Sequence, residues 1–318
     1  MGEFELLARI RERLPEPGSR LRVGSGDDAA VTVPGAATAT SVDALVEGVH
    51  FRRRSSSLEQ IGSKALAVAL SDLAAMGAEP GEAYVVLGIP ADLDEDGCLE
   101  LLGGIEKVAA ETGASLAGGD LTRSPSLTLA VTVVGHAERP EDFVTRAGAR
   151  PGDALVVTGE LGGASAGLLL LEQEAKSGAA LVARQLEPRP RLQAGRSLAE
   201  AGATAMIDLS DGLGGDARHL AEASGVSLQI DAAALPLATG LAEVARAAGR
   251  DPLELAVSGG EDYELLAAIP ADKLAAATAA VVEHGGITQI GAVGAGKGVE
   301  IRLPGGELLA AKGFDQLS

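Results

Sequence analysis

Apolar residues recur at helical spacing from the first residues of the chain. In EFELLARIRERL, Phe4, Leu7 and Ile10 or Leu14 share one helical face, and Pro15-Glu16-Pro17-Gly18 breaks the pattern, which predicts a short helix over 3–14. AAVTV and ATATSVD then read as strands separated by Pro34-Gly35, and LEQIGSKALAVALSDLAAMGA has helical spacing that ends at Gly77 and Pro80. A strand at 82–89, a helix near 95–112, a short strand running into Gly118-Gly119-Asp120 and an alternating strand at 126–136 follow. Hairpins mixed with crossovers favour an α+β arrangement over a doubly wound sheet.

Turn residues crowd the stretch from Arg146 to Asp153, just before a new apolar run, ALVVTG. A boundary near 148 divides the chain into domains of 1–147 and 148–318. The second half predicts helices at 163–175 and within 178–201, the strand TAMID, a helix from 213 and the strand VSLQID. A helix at 237–248, the strand YELLAAI, a helix at 271–284 and a terminal β region complete it. No fixed-period repeat is present.

The 318-residue length agrees with two domains. With 26 basic and 45 acidic residues the net charge is 26 − 45 = −19, which argues against a nucleic-acid or membrane-surface partner. Hydrophobic residues make up 46% of the chain, ample for a packed core. Cys98 is the only cysteine, so no disulfide can form within the chain, and a reducing cytoplasm is expected. The opening MGEFELLARIRER does not read as a signal peptide, and no apolar run reaches the roughly 18 residues of a membrane helix. A soluble, cytoplasmic protein is expected.

Aspartates at strand ends or beside glycines carry the candidate chemistry: Gly26-Asp27-Asp28, Ser41-Val42-Asp43, Ser71-Asp72, Gly119-Asp120 and Asp208-Leu209-Ser210-Asp211-Gly212. Taken singly, each is explained by capping or turn formation. As a set they are not, because Asp28, Asp43, Asp72, Asp120 and Asp208 follow or lie within apolar runs, where an unpaired carboxylate is costly. Oxygen ligands without clustered Cys or His suit Mg²⁺, which at carboxylates usually carries substrate phosphates. Divalent ions would also reconcile the negative charge with a polyanionic nucleotide. Neither a P-loop nor a dinucleotide-binding glycine fingerprint occurs, and a serine nucleophile is disfavoured because no G-x-S-x-G elbow appears with a histidine partner. His50 follows the Asp43 strand, Ser258–Glu264 is an acidic glycine turn, and Arg146 sits at the domain junction; each has a structural reading and a ligand-binding one.

Six segments in order, GDDAAV (26–31), SVDALVEGVHF (41–51), KALAVALSDLAAMGA (64–78), GGDLTR (118–123), IDLSDGL (207–213) and SGGEDYEL (258–265), resemble the thiamine-monophosphate kinase family, as does the closing KGFDQ at 312–316. The resemblance runs over nearly the whole chain. It implies the two-domain, α+β, aminoimidazole ribonucleotide synthetase-like fold, with an N-terminal sheet that forms a homodimer and a C-terminal α/β domain that completes the active site. It further implies ATP-dependent phosphorylation of thiamine monophosphate to thiamine diphosphate with several Mg²⁺ ions. Position by position, Asp28, Ser41, Val42, Asp43, Asp72, Asp120, Asp208 and Asp211 would hold metal. Gly119, Asp120, Arg146 and Ser210 would contact ATP, and His50, Glu261 and Phe314 the thiamine monophosphate. The family often has threonine where Val42 stands, so a contact there would use the carbonyl, and asparagine where Ala69 stands. Other ATP-dependent enzymes of the superfamily and a non-catalytic nucleotide or thiamine-phosphate sensor are the competing readings. The superfamily members that end in a reactive cysteine are disfavoured by the Gln316-Leu317-Ser318 ending and the mid-chain Cys98.

Overall fold

The computed structural model describes residues 3–14, 20–24, 29–175 and 177–313. Two compact units result, one of residues 1–73 and 78–140, the other of 74–77 and 141–318.

In the first unit, helix α1 (Glu3–Arg13) precedes the short strands β1 (Leu21–Val23) and β2 (Val31–Thr32), which pair with each other. A four-stranded sheet is built from β3 (Ala37–Val46), β4 (Glu79–Ile89), β5 (Ser115–Arg123) and β6 (Thr128–Ala137), in the order β3-β6-β4-β5. Only β4 and β5 run parallel, joined by the crossover helix α3 (Glu95–Thr112). Alternation sorts the strands' residues: Leu129, Val131 and Val133 of β6 are buried, while Thr38, Thr40, Val42 and Ala44 of β3 face outward.

Helix α2 (Leu58–Ala75) is apolar almost all round, and Ile61, Leu66, Leu70 and Leu73 are essentially inaccessible to solvent. It crosses α3 backbone to backbone. A Cβ on Gly62 would lie 1.9 Å from the Leu101 carbonyl oxygen, and one on Gly104 would lie 1.9 Å from that of Glu59. Asp94 starts α3 by accepting the Gly97 N–H at 2.9 Å, and Gly113 ends it at φ +80°.

The second unit is centred on a seven-stranded sheet in the order β13-β12-β9-β11-β7-β10-β8. Its strands are β7 (Ala154–Thr158), β8 (Ala205–Asp208), β9 (Ser227–Asp231), β10 (Leu265–Ile269), β11 (Ile287–Gly294), β12 (Gly298–Arg302) and β13 (Leu308–Leu309). Every pairing is antiparallel except β12 with β9. Strands β7, β8 and β10 are buried on both faces, which is why ALVVT and LLAAI are continuous apolar runs rather than alternating ones. Around them lie α4 (Gly163–Glu172), α5 (Ala179–Leu186), α6 (Leu192–Ala201), α7 (Leu213–Ser224), α8 (Leu241–Ala247), α9 (Pro252–Ser258) and α10 (Leu274–Ala280). Among the described residues, no helix is long and apolar enough to cross a membrane.

Candidate active site

In the first unit, the spacing Ser41-Val42-Asp43 puts Ser41 and Asp43 on the inner face of β3 and Val42 on the outer face, 65% exposed. The Ser41 hydroxyl donates to the Asp72 carboxylate on α2. Asp43 shares this inner face, where burial and the Asp72 charge push its carboxyl up to about 6. Two carboxylates and a hydroxyl therefore converge, a donor set that suits a hard divalent ion. Three of the expected metal residues are thus brought together, and Val42 is left only its backbone to offer. Asp28 lies outside the described residues.

Gly119 and Asp120 occupy β5, the opposite edge of the same sheet. Cross-strand pairing aligns Asp43, Val131, Val85 and Gly119 in one row. Three inter-strand spacings, roughly 14 Å, separate its ends. The expected nucleotide residues of this unit are exposed there, apart from the carboxylate pair. His50 lies in the turn after β3, its Nδ1 accepting the Val46 N–H at 3.1 Å.

In the second unit, β8 delivers buried Asp208 to the sheet edge, and the loop after it is laced to residues 261–264. Leu209 N–H donates to the Glu264 carbonyl at 2.8 Å, Tyr263 N–H to that of Leu209 at 2.9 Å, and Glu261 N–H to that of Ser210 at 2.8 Å. Glycines make the approach possible: a Cβ on Gly260 would sit 2.4 Å from the Ser210 carbonyl oxygen, and Gly212, at φ +101°, is 2.7 Å by the same measure from that of Gly259. Ser210, Asp211 and Glu261 are thereby grouped. Gly313 packs on Gly215. Phe314 itself is outside the described residues.

Asp216, in the first turn of α7, was not among the expected site residues. It is 2% exposed and accepts the Asp211 N–H at 3.0 Å. Burial, then the charges of Asp208 and Asp211, push its carboxyl up to about 8, against the opposing pull of the Asp211 N–H and the Arg146 charge. Arg146, exposed, is thus electrostatically coupled to the aspartate group, and its carbonyl accepts the Ser224 hydroxyl at 2.8 Å. Asp262 and Glu264 belong to the acidic turn read from the sequence but were not singled out within it. Asp262 accepts the N–H groups of Gly162 at 2.7 Å and Ala164 at 3.2 Å, capping α4, and desolvation pushes it up to about 7. The signal available in the sequence was three aspartates in the nine residues 208–216 and the acidic run Glu261-Asp262-Tyr263-Glu264. Among the described residues, no three Asp, Glu, His or Cys side chains form a set able to hold a metal by themselves.

Two models of AIR synthase related proteins match, the N-terminal domain over residues 26–137 and the C-terminal domain over 150–304. The chain is 39% identical over 269 residues to a thiamine-monophosphate kinase of Mycobacterium tuberculosis, covering 84% of this chain and 80% of that protein. The chain belongs to the thiamine-monophosphate kinase family. The Escherichia coli K12 member is 39% identical over 280 residues, covering 85% of this chain and 83% of its own. Among solved structures, that of the Stenotrophomonas maltophilia family member superposes with a TM-score of 0.84 at 36% identity, covering 97% of this chain and 98% of that one. The structure of AaThiL complexed with AMPPCP and TMP superposes at 0.78 and 33% identity, covering 98% and 96%. Family membership confirms the expected two-domain α+β fold.

Proposed function

We propose that the chain transfers the γ-phosphate of ATP to thiamine monophosphate, giving ADP and thiamine diphosphate. The observation that carries this reading is the likeness, over nearly its whole length, to a protein seen with AMPPCP and TMP. Gly119, Asp120, Arg146 and Ser210 contact the nucleotide, and His50, Glu261 and Phe314 the thiamine monophosphate. Residues 1–147 serve nucleotide and metal, and 148–318 complete the site.

The donor chemistry fits Mg²⁺: Asp43 and Asp72 face one another with Ser41, all oxygen ligands. Asp28, Ser41, the Val42 carbonyl, Asp43, Asp72, Asp120, Asp208 and Asp211 would hold it. One or two carboxylates per ion suffice, because Mg²⁺ completes its shell with water and phosphate oxygens. That explains why no self-sufficient protein cage is needed. Bound there, the ions supply charge neutralisation to two polyanions.

The acceptor needs no general base. A phosphate monoester with a second pKa of about 6 is largely dianionic at neutral pH. Its oxygen attacks the γ-phosphorus as the bond from that phosphorus to the β,γ-bridging oxygen breaks, and the electron pair leaves with ADP. The chain's part is to align the two substrates, a task for which Arg146 provides a positive charge beside the aspartates. No covalent phosphoenzyme is needed.

A homodimer in the cytoplasm completes the reading. What supports the dimer is the outer face of the first unit's sheet, where Thr40, Val42, Ala44, Tyr84, Val86, Ala130, Thr132 and Val134 form an uncharged patch, with Val42 65% and Val86 42% exposed. The deciding test is chromatographic detection of thiamine diphosphate after incubation with thiamine monophosphate, ATP and Mg²⁺. Product that vanishes with EDTA is expected; a folded protein that binds ATP yet forms none would sink the assignment.

A further inference from the structure

We infer that Arg191 is a positioning residue for Glu261, acting through Glu264 and the strained turn between them. The inference rests on the reading of Glu261 as a substrate contact. Residues 261–264 alternate in backbone conformation. Glu261 and Tyr263 hold left-handed φ angles of +68° and +49°, and they are two of only three non-glycine residues with positive φ among the described residues. Such angles are costly for side chains larger than glycine and persist only where the surroundings enforce them.

The enforcement comes from the two residues that alternate with them, Asp262 and Glu264. Asp262 is tied to the start of α4 by two backbone N–H groups. Glu264, 1% exposed, is gripped by Arg191, whose Nε donates to Oε2 at 2.7 Å and whose Nη2 donates to Oε1. This is the planar, two-pronged match that a lysine cannot reproduce. The Thr158 hydroxyl donates to Oε2 at 2.7 Å and accepts the Leu265 N–H at 2.8 Å, locking the carboxylate to β7 and β10. Gly159, at φ +54°, leaves the room that this carboxylate fills; a Cβ there would lie 2.2 Å from Oε1.

With its flanks pinned, Glu261 has little freedom left. Its N–H is held by the Ser210 carbonyl, and buried Gln185 of α5 donates to its carboxylate. Arg191 lies five residues beyond the end of α5, after the rigid turn Glu187-Pro188-Arg189-Pro190. One short segment therefore carries both clamps: Gln185 on the Glu261 side chain, and Arg191 on the backbone behind it. Arg191 itself need not touch substrate. Its effect is on where Glu261 stands.

The test is steady-state kinetics on Arg191→Gln, Arg191→Lys, Glu261→Ala and the double variant Arg191→Gln/Glu261→Ala. Arg191→Gln should raise the KM for thiamine monophosphate about tenfold and leave the KM for ATP unchanged, since small misplacements of a contact residue are costly. Arg191→Lys should recover only part of the loss. In the Glu261→Ala background the Arg191→Gln change should add less than about twofold, because two residues acting through one contact are not additive. Because Arg191→Gln leaves a buried carboxylate unpaired, Arg191→Gln/Glu264→Gln removes both charges and serves where the single variant fails to fold. The inference is overturned if Glu261→Ala weakens thiamine monophosphate and Arg191→Gln does not, if both substrates weaken together, or if the losses add in full. If Glu261→Ala leaves the KM for thiamine monophosphate unchanged, the substrate reading of Glu261 itself fails, and the inference with it.

Discussion

At Asp72 an otherwise apolar helix gives one position to a carboxylate, which takes the Ser41 hydroxyl and lies beside Asp43. Nothing in helix packing calls for it. Asp72→Asn keeps the size and an acceptor for Ser41, so the fold should survive, while a charge that would hold Mg²⁺ is gone. Turnover should fall by about 100-fold or more with the melting temperature nearly unchanged; turnover like wild type would contradict the metal role. Asp216 makes the converse case. Its folded-state pKa of about 8 stands above the ordinary carboxylate value of 3.8, so the folded chain holds a proton that the unfolded chain releases. Stability therefore falls as pH rises from about 4 to about 8, and levels off above. Asp216→Asn retains an acceptor for the Asp211 N–H and loses the titration. Its melting temperature without divalent ions should drop less than wild type's between about pH 5 and pH 9, each kcal/mol appearing as roughly 2–4 °C. Identical slopes in scanning calorimetry would refute the burial argument. Asp72 was legible because a carboxylate among alanines and leucines stands out. Asp216 was not, because acids in a helix's first turn are commonplace partners of the helix dipole and carry no mark of function.

Among the elements, long periodic segments were read well: the helices at 58–75 and 95–112 and the strand at 37–46 fall where their patterns put them. Two features escaped, the start of one strand and one short helix. Strand β4 begins at Glu79 because Pro80 occupies its opening, a place where the missing N–H costs little, although the same proline reads in sequence as a helix stop. Helix α9 is only seven residues long; Asp251 caps it and Pro252 opens it, but too few turns exist for periodicity to register. Periodicity is equally silent about how α2 and α3 meet. Their crossing is set by Gly62 and Gly104, each 1.9 Å, by the Cβ measure, from the other helix's backbone. Gly104→Ala would raise intrinsic helix propensity, yet it should destabilise by about 1–3 kcal/mol because the helices must part. Urea denaturation followed by circular dichroism decides between the two effects, and a stabilised variant would mean that the crossing is looser than described.

On the scale of the whole molecule, a net charge of −19 opposes self-association, and two copies of the chain repel at long range. The proposed dimer must therefore bring together surfaces with little charge of their own. The outer face of β3, β6 and β4 meets that condition: alternation places threonine, valine and alanine there, and its row from Val42 through Thr132 to Tyr84 carries no ionised side chain. A purely solvated sheet face would be expected to carry lysine and glutamate instead. Two consequences follow from opposing apolar and electrostatic contributions. Salt screens the long-range repulsion while leaving apolar contact intact, so the dimer should tighten as ionic strength rises. An arginine at Val86 lowers the net negative charge and stands opposite Asp120 of β5, yet its bulk must be fitted into a close contact between uncharged surfaces, and Val86→Arg should shift the population to monomer. Sedimentation equilibrium of both proteins at low and high salt separates the cases. A Val86→Arg chain that dimerises as tightly as wild type would place the contact on some other surface, whatever the salt dependence.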